Sequence, residues 1–192
     1  MGTSIAIGRD GRRHISYFNG AGSDLRYATC SSGCGQAANW EKVTVDEGSA
    51  QMGLNNSLAV GPDGAIHISY YDRGNDDLMY ARCVSDCTKP WNWTKVRVAT
   101  GPVGPYTSLA LEASGRVHVS YFGDRTLSYA TCRNGCLVPL GWTRTVLDGD
   151  AQHHVGLFTS ITARNDVVRI SYYDEENGDL KLRTSAPLVN PF

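Results

Sequence analysis

The sequence predicts an all-β fold built from four repeats of one antiparallel unit, and three observations carry that prediction. A Ser-(Ile/Leu) pair opens each unit at Ser4, Ser57, Ser108 and Ser160, at intervals of 53, 51 and 52 residues. Short runs rich in β-branched and aromatic residues alternate with Gly, Asp, Asn and Pro turns, the pattern of strands joined by hairpins. Helical periodicity is absent from the 192 residues. A period of about 51 residues holding four strands is that of a β-propeller blade. One such meander buries both its faces only by stacking on neighbours around an axis.

The second unit shows the elements in order. Ser57-Leu58-Ala59-Val60 is the first strand, Gly61-Pro62-Asp63-Gly64 a turn, and Ile66-His67-Ile68-Ser69-Tyr70-Tyr71 the second strand. An Asp/Asn/Gly loop leads to Leu78-Met79-Tyr80-Ala81, and a loop bounded by Cys83 and Cys87 leads to the run from Trp93 to Val98. The second strand recurs from His14, His118 and Arg169, the third from Leu25, Leu127 and Leu180, and the fourth from Trp40 and Trp142. The repeats 4–56, 57–107, 108–159 and 160–192 form a single domain, with no linker to divide it. The fourth has no tryptophan-led strand, so its blade is expected to be incomplete, with three strands. Residues 1–3 are too short for the missing strand. The tail carries Pro187 and Pro191, which cannot donate to a ladder. The third strand is therefore expected to keep an open edge, to be completed by self-association or by a longer parent chain.

Lys+Arg is 18 and Asp+Glu 19, a formal net charge of -1, which gives no reason to expect nucleic acid as partner. No apolar run approaches the roughly 20 residues of a membrane span. Residues 1–4 lack the basic-then-apolar pattern of a signal peptide. Six cysteines in three identical spacings nonetheless point to an oxidising compartment, extracellular or in the cell envelope. The two observations agree if the chain is a piece of a longer secreted protein.

The units His-Ile-Ser-Tyr-Tyr-Asp (from His67) and Asp-Leu-x-Tyr-Ala (from Asp77) resemble the repeats of bacterial secreted and cell-surface β-propellers, loosely related to sialidase-type propellers. The resemblance covers nearly the whole chain. It implies the fold, while such propellers serve as binding modules, scaffolds, glycosidases and lyases. The Asp-box of sialidases is absent, and the turn where it would stand carries the cysteines.

The pairs Cys30/Cys34, Cys83/Cys87 and Cys132/Cys136 read as one local disulfide per blade, each worth about 2 kcal/mol on the chain-entropy model. A metal site with His14, His67 or His118 is the alternative. Antiparallel pairing puts His14 opposite Thr29, His67 opposite Arg82 and His118 opposite Thr131, so each first cysteine points to the other face and no metal is expected. A histidine repeated in three blades reads as a buried group bonding across strands. The acidic loops at Asp72, Asp76 and Asp77 and at Asp174, Glu175, Glu176 and Asp179 read as turn chemistry ahead of calcium ligation. No cofactor motif is present.

The asymmetry lies in the connections between blades, which rim one face near the central channel. His153 and His154 occur in one copy only, and Tyr106 and Phe158 stand where the earlier copy has Asn55. These five residues are the candidate ligand-binding rim, where an aromatic ring could stack on a sugar; the structural alternative is a plug between blades. The sequence favours a non-catalytic extracellular module for glycan or protein recognition or scaffolding. The alternatives are a carbohydrate-active enzyme and a fragment of a larger propeller. For the enzyme, His153 or His154 would act as base and Tyr106 as acid. A sialidase-like site needs grouped arginines, and nothing in the spacing groups Arg125, Arg144 and Arg164.

Overall fold

A computed structural model describes residues 2–48, 51–150 and 154–185. They form four antiparallel meanders. Blade 1 holds β1 (Thr3–Ile7), β2 (Arg13–Asn19), β3 (Asp24–Cys30) and β4 (Glu41–Asp46). Blade 2 holds β5 (Met52–Val60), β6 (Ile66–Asp72), β7 (Asp77–Cys83) and β8 (Thr94–Ala99). Blade 3 holds β9 (Ser108–Leu111), β10 (Val117–Gly123), β11 (Thr126–Cys132) and β12 (Thr143–Asp148). Blade 4 holds β13 (Val155–Arg164), β14 (Val167–Asp174) and β15 (Asp179–Thr184), three strands among the described residues. Helix is confined to single 3-10 turns ahead of each fourth strand, such as Pro90–Asn92.

The strands pair in the register that the repeats predict. His14 faces Thr29, His67 faces Arg82 and His118 faces Thr131. The cysteines close three local bridges, Cys30–Cys34, Cys83–Cys87 and Cys132–Cys136. Each bridge shapes the loop that leads to a tryptophan. The indole N–H of Trp40, Trp93 and Trp142 donates to the carbonyl of the second cysteine, at 2.9 to 3.0 Å.

Two of the connections differ from expectation. The inner strands β5 and β13 begin ahead of Ser57 and Ser160, so Asn55 and Phe158 lie within strands, at irregularities of register. Both adopt left-handed backbone, φ 48° and 52°, as does Tyr106 at 56°. Each follows a glycine two residues earlier. Gly53 and Gly156 take φ of 98° and 96°, and their α-carbons press on the strand-three backbone of the preceding blade. A Cβ there would lie 2.7 Å from Leu25 Cα or 2.6 Å from Leu127 Cα. In blade 3 Pro102 and Pro105 withhold ladder donors, and β9 starts late.

Blades join through repeated contacts. The serine that opens each unit accepts the backbone N–H of the next inner strand: Leu58 to Ser4 at 2.9 Å, Leu109 to Ser57 at 3.0 Å, Ile161 to Ser108 at 3.2 Å. Apolar clusters fill the three joints, one between each successive pair of blades. Among the described residues the outer faces of the series are uncovered, with Ile5 and Ile7 of blade 1 and Leu180 and Leu182 of blade 4 all exposed. β15 is exposed almost throughout, whereas its counterparts β3, β7 and β11 are mostly buried.

Candidate functional site

The repeated polar residues are committed to the blades. His14, His67 and His118 each share a hydrogen bond, Nδ1 to phenol oxygen, with Tyr27, Tyr80 and Tyr129, at 2.5 to 2.6 Å. Burial lowers the imidazoles of His14 and His67, His67 down to about 4, so at neutral pH both are uncharged strand-to-strand ties. His118 is equally buried, and its Nε2 also lies 3.4 Å from the buried Glu112 carboxylate. The acidic loops act as turn caps: Asp72 accepts the Gly74 N–H at 2.9 Å, and Asp174 accepts the Asn177 N–H at 3.2 Å. Hydrogen bonds from Lys181 and Asn177 hold the Asp174 carboxyl down at about 2.

The connections between blades behave otherwise. Tyr106 and Phe158, adjacent copies of one left-handed position, meet with ring centroids 4.4 Å apart. Left-handed backbone turns both side chains off the ladder. Phe158 is 65% exposed and Tyr106 half-buried. Phe122 lies edge-on to Tyr106 at 6.5 Å, and Tyr173 tilts against Phe158 at 6.4 Å. This pair of supports was not singled out from the sequence, because an aromatic recurs there in every blade (Phe18, Tyr71, Phe122, Tyr173). The structure thus brings Tyr106 and Phe158 together. Asn55 holds the equivalent place in blade 2, where an amide replaces the ring.

His154 reaches a second titratable group, with Nδ1 3.1 Å from Glu175 Oε2, and both side chains are open to solvent. His153 lies outside the described residues. The arginines do not converge on one site. Arg125 sits in the β10–β11 turn and Arg164 at the β13–β14 turn, opposite ends of their blades.

With this geometry in view, solved structures show what the chain is similar to. It superposes on a Hadza microbial sialidase with TM-score 0.62 at 10% identity, covering 95% of this chain and 43% of that one. It also superposes on a GH43 endo-arabinanase from Bacillus licheniformis, with TM-score 0.53 at 13% identity and coverage of 98% and 72%. A fucose lectin from Kordia zhangzhouensis matches with TM-score 0.50 at 16% identity, over 77% of this chain and all of the lectin. No protein-family model and no curated protein sequence matches the chain. These likenesses establish the class: an all-β chain of propeller blades, spanning less than half the length of the sialidase it superposes on.

Proposed function

We propose that this chain is a non-catalytic extracellular β-propeller module that recognises a glycan through the rim carrying Tyr106 and Phe158. The observation that carries the reading is the ring pair itself. Two aromatics 4.4 Å apart, one of them 65% exposed, form an apolar platform held by Phe122 and Tyr173. A sugar ring has an apolar face that such a platform suits. Proteins named as glycoside hydrolases, a sialidase and a lectin share the fold, which is consistent with this reading. Three disulfides agree with an oxidising, extracellular setting. Among the described residues β15 pairs only with β14, and the tail carrying Pro187 and Pro191 lies outside them; an edge free there fits completion by a further strand, from a second copy or a longer parent chain.

A glycan array followed by calorimetry tests it. Phe158→Ala and Tyr106→Ala are expected to weaken binding by about tenfold each, the loss of an aromatic anchor. Undiminished binding in both variants would move the site elsewhere. A second reading, a carbohydrate-active enzyme, draws on His154 beside Glu175, a base next to a carboxylate. Turnover of a polysaccharide that His154→Ala abolishes would favour it over the first.

A further inference from the structure

Two joints between blades contain a carboxylate bridge, and one joint lacks it. At the joint of blades 1 and 2, the Tyr70 hydroxyl donates to Asp46 Oδ2 at 2.6 Å, and Lys95 Nζ donates to Asp46 Oδ1 at 2.9 Å. At the joint of blades 3 and 4, Tyr172 donates to Asp148 Oδ2, with Lys181 Nζ 3.9 Å from the same carboxylate. Asp46 and Asp148 are the last residues of β4 and β12, set beyond the same register shift against strand three. In blade 2 that position, opposite Leu78, is Ala99. The tyrosine and the cation are still supplied by blade 3, as Tyr121 and Arg144, the counterparts of Tyr70 and Lys95.

Beside Ala99 lies an open pocket of about 410 Å3, lined also by Thr100, Tyr121, Ser128 and the exposed Arg144, and reaching solvent past Asp124 and Val146. Tyr121 is buried, and the polar groups acting on its hydroxyl are Arg144 and Ser128. Arg144 spends one donor on the Pro139 carbonyl, at 3.1 Å, out of the five its guanidinium carries. A guanidinium suits a carboxylate better than the lysine it replaces, because it can donate two parallel hydrogen bonds.

We infer that the joint between blades 2 and 3 is a binding site for a carboxylate-bearing sugar, whose carboxylate takes the place that Asp46 and Asp148 fill elsewhere. The Thr100 hydroxyl offers a partner to a sugar ring and Asp124 at the mouth accepts from ring hydroxyls, while Thr126 and Ser128 are already tied to one another and to the Gly123 carbonyl. A neutral sugar would leave Arg144 and Tyr121 without the anion that the fold supplies at its other joints. The site shares no lining residue with the Tyr106–Phe158 platform and does not depend on it.

The test is calorimetric titration of the whole chain with sodium glucuronate and galacturonate, and with glucose and galactose at the same ionic strength. The uronates are expected to bind and the neutral sugars to bind at least about tenfold more weakly, the loss of a charge-assisted contact. Arg144→Ala should weaken uronate binding by about tenfold or more. Ala99→Asp should abolish it and raise the thermal midpoint, since the introduced carboxylate completes the bridge. Should Ala99→Asp fail to fold, Tyr121→Phe serves in its place, with a loss of affinity for uronate alone. No binding of either uronate by the wild type, equal binding of the neutral sugars, or undiminished binding in Ala99→Asp would each overturn the assignment.

Discussion

Tyr27 and Trp93 meet edge to face across the joint between the first two blades, their ring centroids 5.2 Å apart and inclined by 61°. Tyr80 and Trp142 repeat the contact at the next joint, at 5.0 Å. The tryptophan comes from the loop that a disulfide shapes, so the bridges of blades 2 and 3 act on the preceding blade through an indole. Trp93 and Trp142 are buried, whereas Trp40 has no preceding blade among the described residues and is half-exposed. Trp93→Ala and Trp142→Ala should each cost about 3–5 kcal/mol, the range for deleting a buried aromatic. Trp40→Ala should cost about 1 kcal/mol, typical of a partly exposed site. Urea denaturation measures all three, and equal losses would contradict the socket.

The glycines ahead of the rim give a second test. Gly53 and Gly156 combine left-handed backbone with a Cβ position under 3 Å from the neighbouring blade. Gly64 has the same handedness, φ 80°, with nothing within 4 Å. Alanine at Gly64 should therefore cost about 1 kcal/mol, the conformational penalty alone. Alanine at Gly53 or Gly156 adds overpacking and should cost about 2–4 kcal/mol. Thermal midpoints that rank the three variants otherwise would show that the close approach is not rigid.

Most of this architecture was legible because the blade is a local object repeated. Periodicity located the strands, alternation fixed the register of His67 on Arg82, and identical spacing paired the cysteines. The left-handed positions were harder to read. Asn55 and Phe158 look like loop residues, yet they sit inside β5 and β13, because whether a Gly-x-x segment turns away or bulges depends on the neighbouring blade. The rim pair was visible as aromatics out of step with the repeat. Its supports Phe122 and Tyr173 were not, since a residue present in every blade reads as structural. Ala99 was overlooked for the opposite reason: its meaning comes only from Asp46 and Asp148, which touch the tyrosine of the following blade.

Buried His67 predicts how stability follows pH. In the folded chain it takes a proton only near pH 4, whereas an unfolded histidine does so near 6.5. Between those values the unfolded state binds more protons, so stability is full above about pH 6.5 and falls as pH is lowered toward 4. His67 contributes on the order of 3 kcal/mol across that window, an upper bound. Urea midpoints measured from neutral pH down to about 4 should follow this slope. His67→Gln, which keeps a polar side chain and does not titrate, should flatten it, and an unchanged slope in that variant would remove His67 from the account.

The last expectation concerns β15. In the other blades strand three is covered by a fourth strand and by the next blade, and Leu25, Leu78 and Leu127 are fully buried. In β15 the corresponding Leu180 is 82% exposed, and Leu182, at the place of Tyr27, Tyr80 and Tyr129, is 66% exposed. An apolar strand edge of this kind is a template for pairing with another chain. Lys181 and Arg183 alternate with the leucines and temper that tendency, although Lys181 is tied to Asp174 at 2.6 Å and cannot act as a free repelling charge. The 192-residue chain should therefore associate as its concentration rises, visible by sedimentation velocity at up to about 100 µM, within the range where exposed edges drive assembly. Leu182→Lys should suppress the association, because it replaces an exposed apolar side chain of the strand with a free charge. Val84→Lys, at an exposed apolar position just beyond β7, should leave it unchanged. A chain that stays monomeric throughout, or an association that Leu182→Lys does not reduce, would show that β15 is not the adhesive edge.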